Sequence, residues 1–127
     1  MLDDRAYGFA AAWVAAWNRR DLDAILEHYA DDVVLTSPLV ARRFARADGT
    51  LRGRDELREY VAVGLDSAPH LRIEPHHTLV GVDGVTVVYT RENGALVAEV
   101  MILDAQGKVR RARAFYHDLL LPEWPPD

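Results

Sequence analysis

Apolar side chains recur mostly every three or four residues up to about residue 67, and alternate beyond 70. Phe9, Trp13 and Trp17 fall every four residues, with Ala6 and Ala10 beside them, and predict a first helix capped by Asp3 or Asp4. Asn18-Arg19-Arg20 interrupts the pattern. Asp21 then caps a second helix whose Leu22, Ile25, Leu26 and Tyr29 share one face. His28 sits beside that face and is expected in solvent. The pair Asp31-Asp32 is expected to end this helix, and a β-branched run predicts a strand over about 32–37, stopped by Pro38. Residues 39–52 read as a long connection with a turn at Asp48-Gly49. A third helix is predicted over about 54–67, with Leu57, Tyr60, Val61, Gly64 and Leu65 as its apolar stripe and Pro69 beyond its end.

The remainder reads as a β-meander over 71–82, 85–92, 95–103 and 108–118. Asp83-Gly84 and Asn93-Gly94 are read as two-residue turns, because Asn-Gly and Asp-Gly suit a hairpin that needs positive φ. Those turns set Val88 opposite Glu99, Thr90 opposite Val97 and His77 opposite Thr90, and a third turn with Leu103 opposite Lys108 sets Ala112 opposite Glu99. One face then collects His77, Leu79, Thr86, Val88, Thr90, Val97, Glu99, Met101, Ala112, Ala114 and Tyr116. The other collects Val87, Tyr89, Leu96, Val100, Arg111, Arg113 and Phe115, among others. A bulge would reverse the assignment on the affected strand. The tail, 119–127 with Trp124, reads as an extended arm.

Composition places this pattern in one domain spanning 1–127. Half of the residues are hydrophobic, 28% are charged and none is cysteine. The lack of cysteine excludes disulfides and thiol catalysis, and fits the cytoplasm. A net charge of −5 argues against nucleic acid as a partner. No membrane span or leader is visible. High Ala, Arg, Leu and Asp usage fits a bacterial, GC-rich source.

Glu99 is the candidate with chemistry, since a mid-strand carboxylate is seldom buried without purpose. In an apolar pocket its pKa rises, which suits a general acid or base. The alternative is a structural hydrogen bond to a buried hydroxyl or indole. His77 is read onto the same face as its helper. The two alanines, Ala112 and Ala114, leave room under a helical lid. Trp13, Trp17, Ser37, Tyr60, Thr90 and Tyr116 are candidate ligand contacts, although large aromatics at helical spacing usually serve the core. Arg42, Arg43, Arg46 and Arg52 either ring the cavity mouth or form a solvated basic loop. No metal-ligand spacing occurs, and no cofactor is expected.

The run Tyr29-Ala30-Asp31-Asp32-Val33 before Ser37-Pro38, followed by Gly53-Arg54-Asp55-Glu56-Leu57 opening a helix, resembles the nuclear transport factor 2-like superfamily. Within it the match is to SnoaL-like and ketosteroid-isomerase-like domains, from about Trp13 to Tyr116. The resemblance implies an α+β fold, a cone-shaped α+β barrel with three N-terminal helices on a strongly curved, mostly antiparallel sheet. By that resemblance Ser37 stands where ketosteroid-isomerase-like enzymes carry an Asp base. Trp13 stands where they carry the oxyanion-hole Tyr, and Glu99 where they carry its protonated Asp. A hydroxyl does not replace a carboxylate base, so ketosteroid isomerisation is not expected. The Asp-Arg-Asp set of epoxide-hydrolase-like members and the paired histidines of scytalone-dehydratase-like members are not found on the predicted inner face. The Asp and His of polyketide cyclases have only a loose analogue in Glu99 and His77.

Two readings follow. One is a pocket for a small apolar or cyclic molecule, with proton-transfer chemistry of isomerase, dehydratase or cyclase type. The other is a non-catalytic dimerisation or partner-binding module. A third, weaker one is an anion binder using the loop arginines. A single helical layer covers one sheet face, so the other is expected to pair two copies as a homodimer.

Overall fold

The computed structural model describes residues 4–117. The expected arm at 119–127, with Trp124, lies outside the described residues. Ten elements follow in order: α1 (Asp4–Asn18), α2 (Leu22–Leu26), β1 (Tyr29–Thr36), α3 (Pro38–Arg43), β2 (Thr50–Arg52), α4 (Arg54–Ser67), β3 (Ile73–Val80), β4 (Gly84–Arg91), β5 (Leu96–Leu103) and β6 (Val109–Tyr116). The strands form one six-stranded sheet in the order β2-β1-β6-β5-β4-β3. All neighbours are antiparallel except β1 with β6. Register irregularities in β1, β3 and the β5–β6 pair add twist, and the sheet curls into a cone. Its concave side is closed by α1, which lies on β3 and β4, and by α4, which lies on β1 and β2.

The helices form where capping and patterning agree. Asp21 accepts from the Ala24 N–H at the start of α2. In α4, Leu57, Tyr60, Val61, Gly64 and Leu65 are all buried, the stripe expected from sequence. In α1 the buried line is Ala6, Ala10, Trp13 and Ala16, while Phe9 and Trp17 are only half-buried. Asn18, the last residue of α1, bonds both ways to the backbone of Ile73, donating at 2.9 Å and accepting at 2.7 Å. Its amide imitates a strand backbone and pins the helix to the start of β3.

Three local expectations need correction. The helix ends at Leu26, and Tyr29 already belongs to β1. Asp31 and Asp32 are exposed within that strand, where the pairing with β6 lapses between Tyr29 and Val34, so the charges reach solvent without ending a helix. His28 is half-buried, bonded through Nδ1 to the Ala24 carbonyl and packed edge-on against Phe9. The connection after Pro38 is not irregular. Ser37 accepts from the Leu39 N–H and Pro38 sits in the first turn, so the residues that stop the strand also start α3.

Two hairpins differ from the expected two-residue form. Gly84 has no positive φ. It lies within β4 opposite Ile102, where an added Cβ would stand 2.1 Å from the Met101 carbonyl oxygen. The β3–β4 loop therefore covers 81–83, with Val80 opposite Val85 and the Gly81 N–H donating to the Gly84 carbonyl at 2.9 Å. Between β4 and β5, the Arg91 N–H donates to the Ala95 carbonyl and the Gly94 N–H to the Arg91 carbonyl, each at 2.9 Å. Three residues, Glu92, Asn93 and Gly94, make this loop, with Gly94 at φ 85°. One extra residue reverses parity. Tyr89 now faces Val97 and Val87 faces Glu99, so β4 and β3 turn their other sides inward.

Gly94→Ala is expected to lose about 1–2 kcal/mol in urea unfolding, because an L side chain is strained at this φ. Gly94→Asn should lose less.

Candidate functional site

The concave face of β5 presents Val97, Glu99 and Met101, and β4 presents Val87, Tyr89 and Arg91 beside it. Ala114 of β6 lies directly opposite Glu99, and its methyl leaves space next to the carboxyl. Trp13 and Trp17 of α1, Tyr60 and Gly64 of α4, and Ser37 with Arg43 of α3 complete a cavity of about 60 Å³. Its walls are chiefly apolar and aromatic, with a few convergent polar groups.

Glu99 is 7% exposed and lines this cavity. The Tyr89 hydroxyl donates to its Oε1 at 3.1 Å. Burial pushes the Glu99 pKa from 4.5 to about 7, and the Tyr89 bond opposes only part of that rise. The phenols around it are shifted away from ionisation. Burial, then the Glu99 charge, raises Tyr29 and Tyr89 well above the ordinary phenol range. Burial raises Tyr116 likewise, and pushes Tyr60 to about 12. All four remain neutral hydrogen-bonding groups at physiological pH. Trp13 Nε1 donates to the Tyr29 hydroxyl at 3.0 Å, and its ring meets Trp17 and Tyr89 at 6.2 and 5.9 Å between centroids.

Two guanidinium groups share the wall. Arg43 stacks over Tyr60, with Cζ 5.3 Å from the ring centroid. It crosses α4 at Gly64, where an added Cβ would meet its Nη1 at 2.8 Å. Arg91 has a side chain only 6% exposed, and its Nη2 donates to Glu92 at 3.1 Å. The other loop arginines with described partners turn elsewhere. Arg46 grips Glu56 through two bonds of 2.7 and 2.9 Å, and Arg52 stands 4.0 Å from Asp48.

Of the residues singled out from sequence, Glu99, Trp13, Trp17, Ser37, Tyr60 and Tyr116 line the cavity. His77 and Thr90 do not. His77 is exposed opposite Val88 on the convex face, and Thr90 lies opposite Leu96, bonded to His76 Nε2 at 3.0 Å. The three-residue loop at 92–94 is the cause, since it moves both to the side away from Glu99. The same parity brings in Tyr89, which was assigned outward, and with it Arg91, which was assigned to neither face. A signal for this was present in β4 itself. Val85, Val87 and Tyr89 are bulkier and less polar than Thr86, Val88 and Thr90, so the former side suits the core. The Ser37 hydroxyl accepts from the Leu39 N–H at the start of α3 and also hydrogen-bonds the Tyr60 side chain.

A curled α+β cone with a lined concave cavity defines the nuclear transport factor 2-like class. The chain belongs to the SnoaL-like family, whose domain model matches residues 10–118. It is similar to a SnoaL-like protein of unknown function from Burkholderia thailandensis, at 38% identity and a TM-score of 0.85, covering 87% of this chain and 92% of that one. A structure described as a candidate isomerase of the SnoaL-like family from Agrobacterium tumefaciens shares the fold at 14% identity and TM-score 0.71, covering 90% and 98%. So does SalBIII, an epoxide hydrolase/cyclase-like enzyme in pyran ring formation in salinomycin, at 24% identity and TM-score 0.69, covering 91% and 94%. No curated protein matches the chain. Among the described residues no helix is long and apolar enough to cross a membrane.

Glu99 holds its proton more tightly in the folded chain than in the unfolded one. Its contribution to stability is therefore fully present below pH 4.5 and is lost as pH rises through about 7. In urea unfolding, wild type should lose roughly 3 kcal/mol between pH 4.5 and 8 relative to Glu99→Gln, which keeps an acceptor for Tyr89. Glu56 acts in a separate window. Its hydrogen bond with Arg46 holds it at about 2, so its contribution is lost only as pH falls below 4.5.

Proposed function

We propose that this domain binds a small cyclic molecule in the cone cavity and moves a proton on it, with Glu99 as the acid–base group. The observation that carries this is a buried carboxyl beside an apolar cavity, held by one hydroxyl and titrating near neutrality. An isomerisation balances with these groups alone. The carboxylate takes a proton from the carbon next to a carbonyl, and the acid so formed returns it at another carbon. A neutral tyrosine hydroxyl hydrogen-bonds the oxygen on which charge develops. Dehydration and cyclisation use the same group in the same two states. The isomerase and cyclase names borne by proteins of this fold are compatible with that class. Neither His77, on the far face, nor Ser37, whose hydroxyl is no substitute for a carboxylate base, is assigned a part in proton transfer.

The size of the cavity constrains the ligand. About 60 Å³ is well below the ~150 Å³ of an engineered cavity that accepts benzene. A ring enters only with movement of lining side chains, and Trp17, Arg43 and Tyr116, being half-buried, have the room to move. The small volume is also what favours a second reading, a non-catalytic interaction module whose interior is filled by its own aromatics.

A thermal-shift panel of small cyclic ketones, run on wild type and Glu99→Gln, separates the two. A ligand at about a hundred times its dissociation constant should raise Tm by roughly 10 °C. Turnover of such a hit should fall by about 10²–10⁴ in Glu99→Gln. A panel flat in both proteins would transfer the assignment to the interaction module.

We also propose that two copies pair through the convex sheet face, where Leu96 and Phe115 are 41% and 52% exposed. Light scattering should give a dimer at micromolar concentration and a monomer for Phe115→Glu. A monomeric wild type would remove the proposal.

A further inference from the structure

The strongest unexplained group on the cavity wall is Arg91. It stands on the concave face opposite Ile73, and its side chain is 6% exposed. One of its donors is used, Nη2 to Glu92 Oε2. Glu92 is itself held, since its Oε1 accepts from the Arg72 N–H at 3.0 Å. Glu92 thus positions the guanidinium from outside. Arg91 Nε is buried with no hydrogen-bond acceptor. A buried charged donor left without an acceptor is costly, and such groups are kept where something else completes them.

The charge balance of the wall points the same way. Among its described lining residues Arg43 and Arg91 are cationic, Glu99 is the one acid, and the four tyrosines stay neutral. A wholly apolar ligand would leave the buried Nε donor of Arg91 without an acceptor.

We propose that the ligand of this cavity carries a carboxylate, and that Arg91, whose Nε is the donor left without an acceptor, receives it. This rests on the cavity-binding reading above and names the chemical class of the ligand. An ionised acceptor makes a stronger bond to a guanidinium than a neutral carbonyl does. The ligand is then a small acid with an apolar body, and the carboxylate fixes its orientation relative to Glu99.

Matched acids and amides test this on the whole chain. Crotonate and benzoate are titrated beside crotonamide and benzamide, read by the fluorescence of Trp13 and Trp17, which line the cavity. In wild type the acid should bind at least about tenfold tighter than its amide. In Arg91→Gln that preference should fall to within about twofold, and Arg91→Lys should retain part of it. Circular dichroism checks that each variant is folded. If Arg91→Gln is not, the wild-type comparison and Arg91→Lys decide. Equal binding of acid and amide by wild type, or an acid preference that survives Arg91→Gln, overturns the carboxylate assignment and leaves the cavity reading standing. No binding of any of the four compounds overturns the cavity reading and this inference with it.

Discussion

Three residues between Arg91 and Ala95 decide which side chains of two of the six strands, β4 and β3, enter the cone. The Asn93 side chain accepts from the Ala95 N–H, and Gly94 takes the positive φ that lets Arg91 and Ala95 close the loop. Because side chains alternate along a strand, an odd loop sends Val87, Tyr89 and Arg91 inward with Glu99. The β3–β4 pairing carries the same choice outward to the edge strand, where His77 and Leu79 remain exposed. Trp13 then packs against Tyr89, and Tyr89 bonds Glu99, so helix docking and the carboxyl environment both follow from this one turn.

Within the cone, the environment of Glu99 is set by low polarity more than by any charge partner. Desolvation is the leading cause of its shift, and its one side-chain hydrogen bond comes from a neutral phenol. The surrounding tyrosines are shifted upward in turn, partly by Glu99 itself, so they stay neutral beside it. The arginines differ in kind. They stay cationic, and the protein accommodates them by stacking Arg43 on Tyr60 and tethering Arg91 to Glu92.

Much of this was legible in the residues. The α4 boundaries and buried stripe, the four late strands and the concave placement of Glu99, Ala112 and Ala114 follow from periodicity. The β5–β6 register is displaced by two residues from expectation, Ala114 rather than Ala112 lying opposite Glu99, and an even displacement keeps the same face. An odd displacement does not, which is why His77 and Thr90 were misplaced by a single turn residue. The helix α3 was hidden because Ser37-Pro38 serves as both strand stop and helix start. Cavity size was not legible at all. It depends on how Trp17, Tyr60 and Arg43 fill space, and periodicity carries no information about that.

The two edges of the sheet share a property that bears on solubility. One edge, β2, is three residues long, and the other, β3, carries Pro75 at a register irregularity. Neither offers a long, regular row of free backbone donors and acceptors to a stranger's strand. Edge-to-edge growth of the sheet is thereby disfavoured at both ends. The fold can expose a convex apolar face without the hazard that an open edge beside it would bring.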